Sequence, residues 1–106
     1  YQEGGYFVVH AGIPTDRRGR FQLRPLEKLV FVRDQFLKTR KKFRDKIVVF
    51  GHTAFAQPYR DPYKIGIDTG AVYRRKGYGR LTAFDLKEGR FLDHTGKVVI
   101  PDKDQL

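Results

Sequence analysis

Two short apolar runs stand out from a polar background, Tyr6-Phe7-Val8-Val9 and Ile47-Val48-Val49-Phe50, each rich in β-branched and aromatic residues. Runs of this length and make-up predict buried strands. The first is stopped by His10-Ala11-Gly12 and the second by Gly51-His52-Thr53. Between them, Pro14 to Arg24 is polar and rich in arginine and glycine, which predicts an exposed loop. From Pro25 the period changes. Leu26, Leu29, Val30, Phe36, Leu37 and Phe43 recur at helical spacing, so an amphipathic crossover helix is predicted to about Phe43, with proline at its first position. Its last turns carry Lys38, Arg40, Lys41, Lys42 and Arg44, and such charges suit the negative end of a helix dipole. Strand, helix, strand is a parallel unit.

Beyond it the pattern shortens. A loop holding Pro58 and Pro62 leads to a strand near Lys64 to Asp68, a turn at Thr69-Gly70, and strands near Ala71 to Tyr73, Arg80 to Leu86 and Lys97 to Ile100. Short strands separated by glycine turns predict an antiparallel meander. The reading is one α/β domain over residues 1–106, with a flexible tail from Pro101 to Leu106. There is no internal repeat and no low-complexity stretch.

Composition narrows the classes. At 106 residues and 40% apolar content the chain can build one modest core. It has no cysteine, which excludes disulfides and thiolate metal sites and suits a reducing cytoplasm. No apolar run reaches the roughly 20 residues that span a bilayer, so no membrane association is expected. The absence of methionine and the opening at Tyr1-Gln2-Glu3 point to a fragment. A net charge of +10 and a pI near 10.1 attract phosphate-bearing partners of any size, nucleic acid among them.

The two predicted parallel strands each deliver a histidine at their carboxyl end, His10 and His52, on the sheet edge where open α/β folds place ligands. The small residues after them, Ala11-Gly12 and Thr53-Ala54, leave room for a ligand to approach the backbone. Neutral imidazole is a ligand for zinc, manganese and iron. A hydrogen-bonded structural role for each histidine stays open. Arg33 falls between Leu26, Val30 and Leu37 on the apolar stripe of the predicted helix, where a charge needs a partner or a path to solvent. A fork aimed at phosphate is the second reading. His94, among Asp93, Thr95 and Gly96, reads as an exposed turn residue, and Asp68 as a turn cap with metal ligation as the other option.

Phe7-Val8-Val9-His10-Ala11-Gly12-Ile13, Val49-Phe50-Gly51-His52-Thr53, Ile67-Asp68-Thr69-Gly70-Ala71-Val72-Tyr73 and Leu81-Thr82-Ala83-Phe84 occur in that order. From Tyr6 to Leu86 the series resembles the second half of bacterial, archaeal and phage serine/threonine protein phosphatases, members of the calcineurin-like metallophosphoesterase superfamily. The resemblance implies the carboxyl-terminal half of an αββα sandwich. It implies that His10 and His52 ligate the same one of two divalent metal ions, manganese, iron or zinc, and that Arg33 holds the substrate phosphate. Phe31 stands where the family usually has a tryptophan, two residues before that arginine. The upstream motifs with the remaining ligands, the bridging aspartate and the acid histidine are absent. This chain alone is therefore expected to be inactive, and the other half of the catalytic domain is its expected partner. Where the family has a short Tyr-Gly-Gly hairpin, this chain has a longer basic one from Tyr73 to Thr82.

The implied reaction is metal-dependent hydrolysis of phosphoserine or phosphothreonine in a phosphoprotein. Three alternatives stay open. Diadenosine tetraphosphate hydrolases share the histidine motifs. A non-catalytic nucleic-acid-binding module would use the charge together with Tyr59, Tyr63, Tyr73 and Tyr78 near arginines. A degenerate half could serve as a scaffold.

Overall fold

The computed structural model describes residues 1–71 and 80–102. The strand expected near Ala71 to Tyr73, the basic stretch of the hairpin and the end of the tail therefore fall largely outside the described residues. What is described is mixed α/β, mostly sheet with two short helical segments.

The first sheet has five strands, β1 (Gln2–Glu3), β2 (Tyr6–Val8), β3 (Ile47–Phe50), β4 (Tyr59–Arg60) and β5 (Lys64–Gly66), in the order β1-β2-β3-β5-β4. As expected, β2 and β3 are parallel, paired Tyr6 to Ile47, Phe7 to Val48 and Val8 to Val49. Their alternating side chains fill two cores. Phe7, Val9, Val48 and Phe50 face the crossover segment, where Ile13, Phe36 and Phe43 are buried. Tyr6, Val8, Ile47 and Val49 face the second sheet and pack with Ile65, Phe84 and Phe91. A parallel sheet covered on both faces needs strands that are apolar at every position, which is why these runs do not alternate with polar residues.

The second sheet is an antiparallel meander of β6 (Thr82–Asp85), β7 (Arg90–Asp93) and β8 (Val98–Val99). Its strands match the expectations near Arg80 to Leu86 and Lys97 to Ile100, and β7 lies between them unforeseen. The stretch expected to open the meander at Lys64 belongs instead to the first sheet: β5 is parallel to β3 and antiparallel to β4.

The long crossover helix does not form. A 3-10 helix covers Leu26–Val30 and one α-helical turn, α1, covers Asp34–Leu37. Pro25 precedes the first in an extended conformation (φ −70°, ψ 151°). The break has two visible causes. The Leu29 carbonyl accepts from Ala11 N–H at 3.1 Å, and Arg33, at φ −132° and ψ −98°, cannot continue a helical ladder. Further on, Thr39 Oγ1 donates to the Gln35 carbonyl at 2.9 Å, and the Lys38 to Arg44 cations follow as loop, not as helix end. Phe36 and Phe43 still bury almost fully, so the apolar spacing served packing without regular helix.

A buried ion pair ties this segment to the sheet. Lys64 is 2% exposed; its Nζ donates to Asp61 Oδ2 at 2.8 Å and to the Thr39 carbonyl at 2.7 Å. Tyr59 Oη donates to the same Asp61 oxygen at 2.7 Å, and Asp61 Oδ1 accepts from the Tyr63 and Lys64 amides. Burial alone would raise the Asp61 pKa, but the bonds from Lys64, Tyr59 and the Tyr63 amide outweigh it and hold the carboxyl below 3.8. A carboxylate with a depressed folded pKa stabilises the fold above its unfolded value and loses that effect as pH falls through the folded one. Asp61→Asn leaves the Lys64 charge uncompensated and should cost about 3 kcal/mol at neutral pH. Chemical denaturation from neutral to acid pH checks this: the native chain loses stability below about pH 4, and the variant lacks that component.

Candidate metal and phosphate site

His10 and His52 follow β2 and β3 at the same edge of the first sheet, because the strands are parallel and in register. The backbones stay joined past the strands: Val9 N–H donates to the Val49 carbonyl at 2.9 Å and Gly51 N–H to the His10 carbonyl at 2.7 Å. The imidazoles are thereby neighbours, with ring centroids 5.3 Å apart and planes inclined by 50°. His52 adopts φ +68°, a left-handed conformation that costs a non-glycine residue on the order of 1 kcal/mol.

Arg33 is brought to the same place, though not as an apolar-stripe residue. With the helix broken just before it, Arg33 is exposed, and its Nε donates to His52 Nε2 at 3.1 Å. His52 is thus a neutral acceptor. Nε makes that bond, and among the described residues the two terminal amino groups of the guanidinium have no hydrogen-bond partner, which suits a bidentate anion. The Phe31 ring stands edge-on to His52 at 6.3 Å while remaining 70% exposed.

The small residues after His10 play a different part from the one expected. Ala11 and Gly12 are buried, and a Cβ at Gly12, which sits at φ +146°, would run into the Phe36 ring. The absence of a side chain at Gly12 admits Phe36 to the core, not a ligand to the backbone. Thr53 Oγ1, in the residue after His52, is buried with no hydrogen-bond partner among the described residues.

Asp68 caps its turn as expected, accepting from Gly70 N–H at 2.9 Å, and its charge also acts on His52. His94 is exposed in the turn between β7 and β8, away from the site. Of the tyrosines near arginines, Tyr59 is buried, stacked on Phe55 and bonded to Asp61, so it offers no face to a nucleobase; Tyr73 and Tyr78 lie outside the described residues. The buried Lys64 and the orphaned Thr53 hydroxyl were not foreseen. Asp61 three positions before a lysine inside an apolar strand is the signal that could have found the first.

Two imidazoles on one tetrahedral ion, with metal–nitrogen bonds of about 2.0–2.1 Å, put ring centroids roughly 5 Å apart. The observed 5.3 Å fits, and neutral rings are the form that ligates. The set is incomplete, because no cluster of three or more histidine, aspartate or glutamate side chains able to hold a metal occurs among the described residues. Arg33 also occupies the His52 Nε2 lone pair, so an ion at that nitrogen must displace it. No protein-family model, curated protein or solved structure matches this chain. The case for function therefore rests on its own residues.

The His52 pKa is lowered from 6.5, first by burial, then by the Arg33 guanidinium and by His10, with Asp68 opposing. Arg33→Ala removes the second cause alone. NMR titration of the imidazole signals should show the His52 midpoint moving up in the variant. An unmoved midpoint would mean that the guanidinium does not rest on the ring in solution.

Proposed function

We propose that this chain is the carboxyl-terminal half of a metal-dependent phosphoester hydrolase of the serine/threonine protein phosphatase type. The observation that carries the reading is the pairing of His10 with His52 at the ends of adjacent parallel strands, with Arg33 on the second ring. The layering of a mixed sheet against an antiparallel meander is compatible with half of an αββα sandwich.

In this reading His10 and His52 hold one divalent ion through neutral imidazole nitrogens, with the other donors supplied from outside the described residues. Divalent ions at such a centre polarise the phosphoryl group and activate water for attack on phosphorus. The chain's own part is positional. Arg33 would yield the His52 Nε2 lone pair to the ion and turn its amino groups toward a phosphate oxygen, while its fixed charge disfavours protonation of His52. Nothing among the described residues furnishes a bridging carboxylate to this pair, so by itself the chain should bind metal and phosphate without turning substrate over. Phosphoserine and phosphothreonine in a phosphoprotein are the proposed substrates of the whole enzyme.

Calorimetric titration with zinc and with manganese tests this. The chain should take up about one ion per molecule, and His10→Ala and His52→Ala should each weaken uptake by about tenfold or more, since even residues that merely orient ligands cost that much. Arg33→Ala should spare metal uptake but abolish retention of a phosphoserine peptide by the metal-loaded chain. Uptake indifferent to both histidines would remove the basis of the assignment.

A further inference from the structure

The positive charge of this protein is concentrated. Residues 14–24 hold four arginines against one aspartate, and residues 38–46 hold six lysines and arginines against one aspartate, which together make eight of the ten net charges. The fold joins these two loops into one surface. Phe21 and Phe43 meet at 5.4 Å, Lys41 Nζ donates to the Gly19 carbonyl and lies 4.8 Å over the Phe21 ring, and one cavity is lined by both loops, with Arg24 and Arg44 at its wall. The surface lies on the crossover side of the first sheet, opposite the meander.

Its cations are mostly uncommitted. Among the described residues Arg20 is the member that is ion-paired, to Asp16 at 2.8 Å, while Arg17, Arg24, Arg40 and Lys42 are exposed without a carboxylate partner. So many like charges held together by folding repel one another, and an anionic partner would relieve that repulsion.

We propose that this two-loop surface binds the phosphate backbone of duplex nucleic acid, independently of the histidine site. Three features select that partner. Protein interfaces centre on apolar and aromatic anchors, whereas here Phe43 is buried and Phe21 and Leu23 are half-buried; interfaces with nucleic acid are more polar and far more positive. The aromatic faces that single strands need for stacking are already covered, Phe21 by Lys41 and Phe43 by Arg44 at 4.9 Å. The surface is also rich in arginine, whose planar fork matches phosphate. Recognition is therefore by charge and without sequence preference.

Fluorescence anisotropy with a short labelled DNA duplex of arbitrary sequence tests the proposal. Affinity should fall with salt along a log–log slope of about −3 to −5, corresponding to a few neutralised phosphates. The variant Arg24→Gln/Lys42→Gln/Arg44→Gln should bind about tenfold or more weakly with a shallower slope. Arg24→Gln/Lys42→Gln, which leaves the Arg44 contact with Phe43 intact, should show the same trend with an unchanged melting temperature. Lys87→Gln/Arg90→Gln/Lys97→Gln removes equal charge from the meander side and should leave binding nearly unchanged. The proposal is overturned if the two triple variants lose affinity equally, if neither does, or if polyglutamate or phosphatidylserine vesicles bind as tightly as the duplex at the same salt. His10→Ala should bind the duplex normally, which separates failure here from failure of the hydrolase reading.

Discussion

The parallel pairing of β2 with β3 is the constraint from which the rest follows. Its register sets Val8 beside Val49, and the bond from Gly51 N–H to the His10 carbonyl carries the alignment two residues past the strands. Residues far apart in sequence then leave the sheet at the same edge. An antiparallel pairing of the same runs would send the two histidines to opposite ends of the sheet. Two strands buried on both faces also demand cover, and the crossover segment and the meander supply it on either side.

That demand shapes the site as well. The crossover must reach from one strand end back to the start of the next and deliver Phe36 and Phe43 into the core on the way. It does so through side-chain and single backbone anchors: Ala11 N–H to the Leu29 carbonyl, the paired Gln35 amide and Thr15 backbone bonds, and Lys64 on the Thr39 carbonyl. A segment so anchored has few ladder hydrogen bonds of its own and is held by its core contacts instead. The same irregularity frees Arg33. In a continuous helix its side chain would lie along the packed stripe; at the break it stands exposed and leans onto His52.

Sequence made the parallel strands and their terminal histidines legible, because both runs are short, rich in β-branched and aromatic residues, and stopped by glycine-bearing segments. The meander was partly legible from glycine turns. The helix was not, because Leu26, Leu29, Val30, Phe36 and Leu37 obey helical spacing while competing donors, the Ala11 N–H and the Thr39 hydroxyl, take carbonyls of the segment. Arg33 was found for its chemistry but misplaced in its surroundings for the same reason. The small residues after His10 read as room for a ligand; only the packing reveals that Phe36 takes that room. The two basic stretches looked like separate solvated segments, since nothing local in either shows that Phe21 and Phe43 dock them together.

The central claim, that the imidazoles of His10 and His52 serve one cation, is tested most directly by paramagnetic broadening. Substoichiometric manganese added to the labelled chain should broaden the ring signals of both residues in parallel, with a single dissociation constant, and should leave the exposed His94 ring sharp. Broadening of one ring without the other, or of His94 to the same degree, would contradict the account.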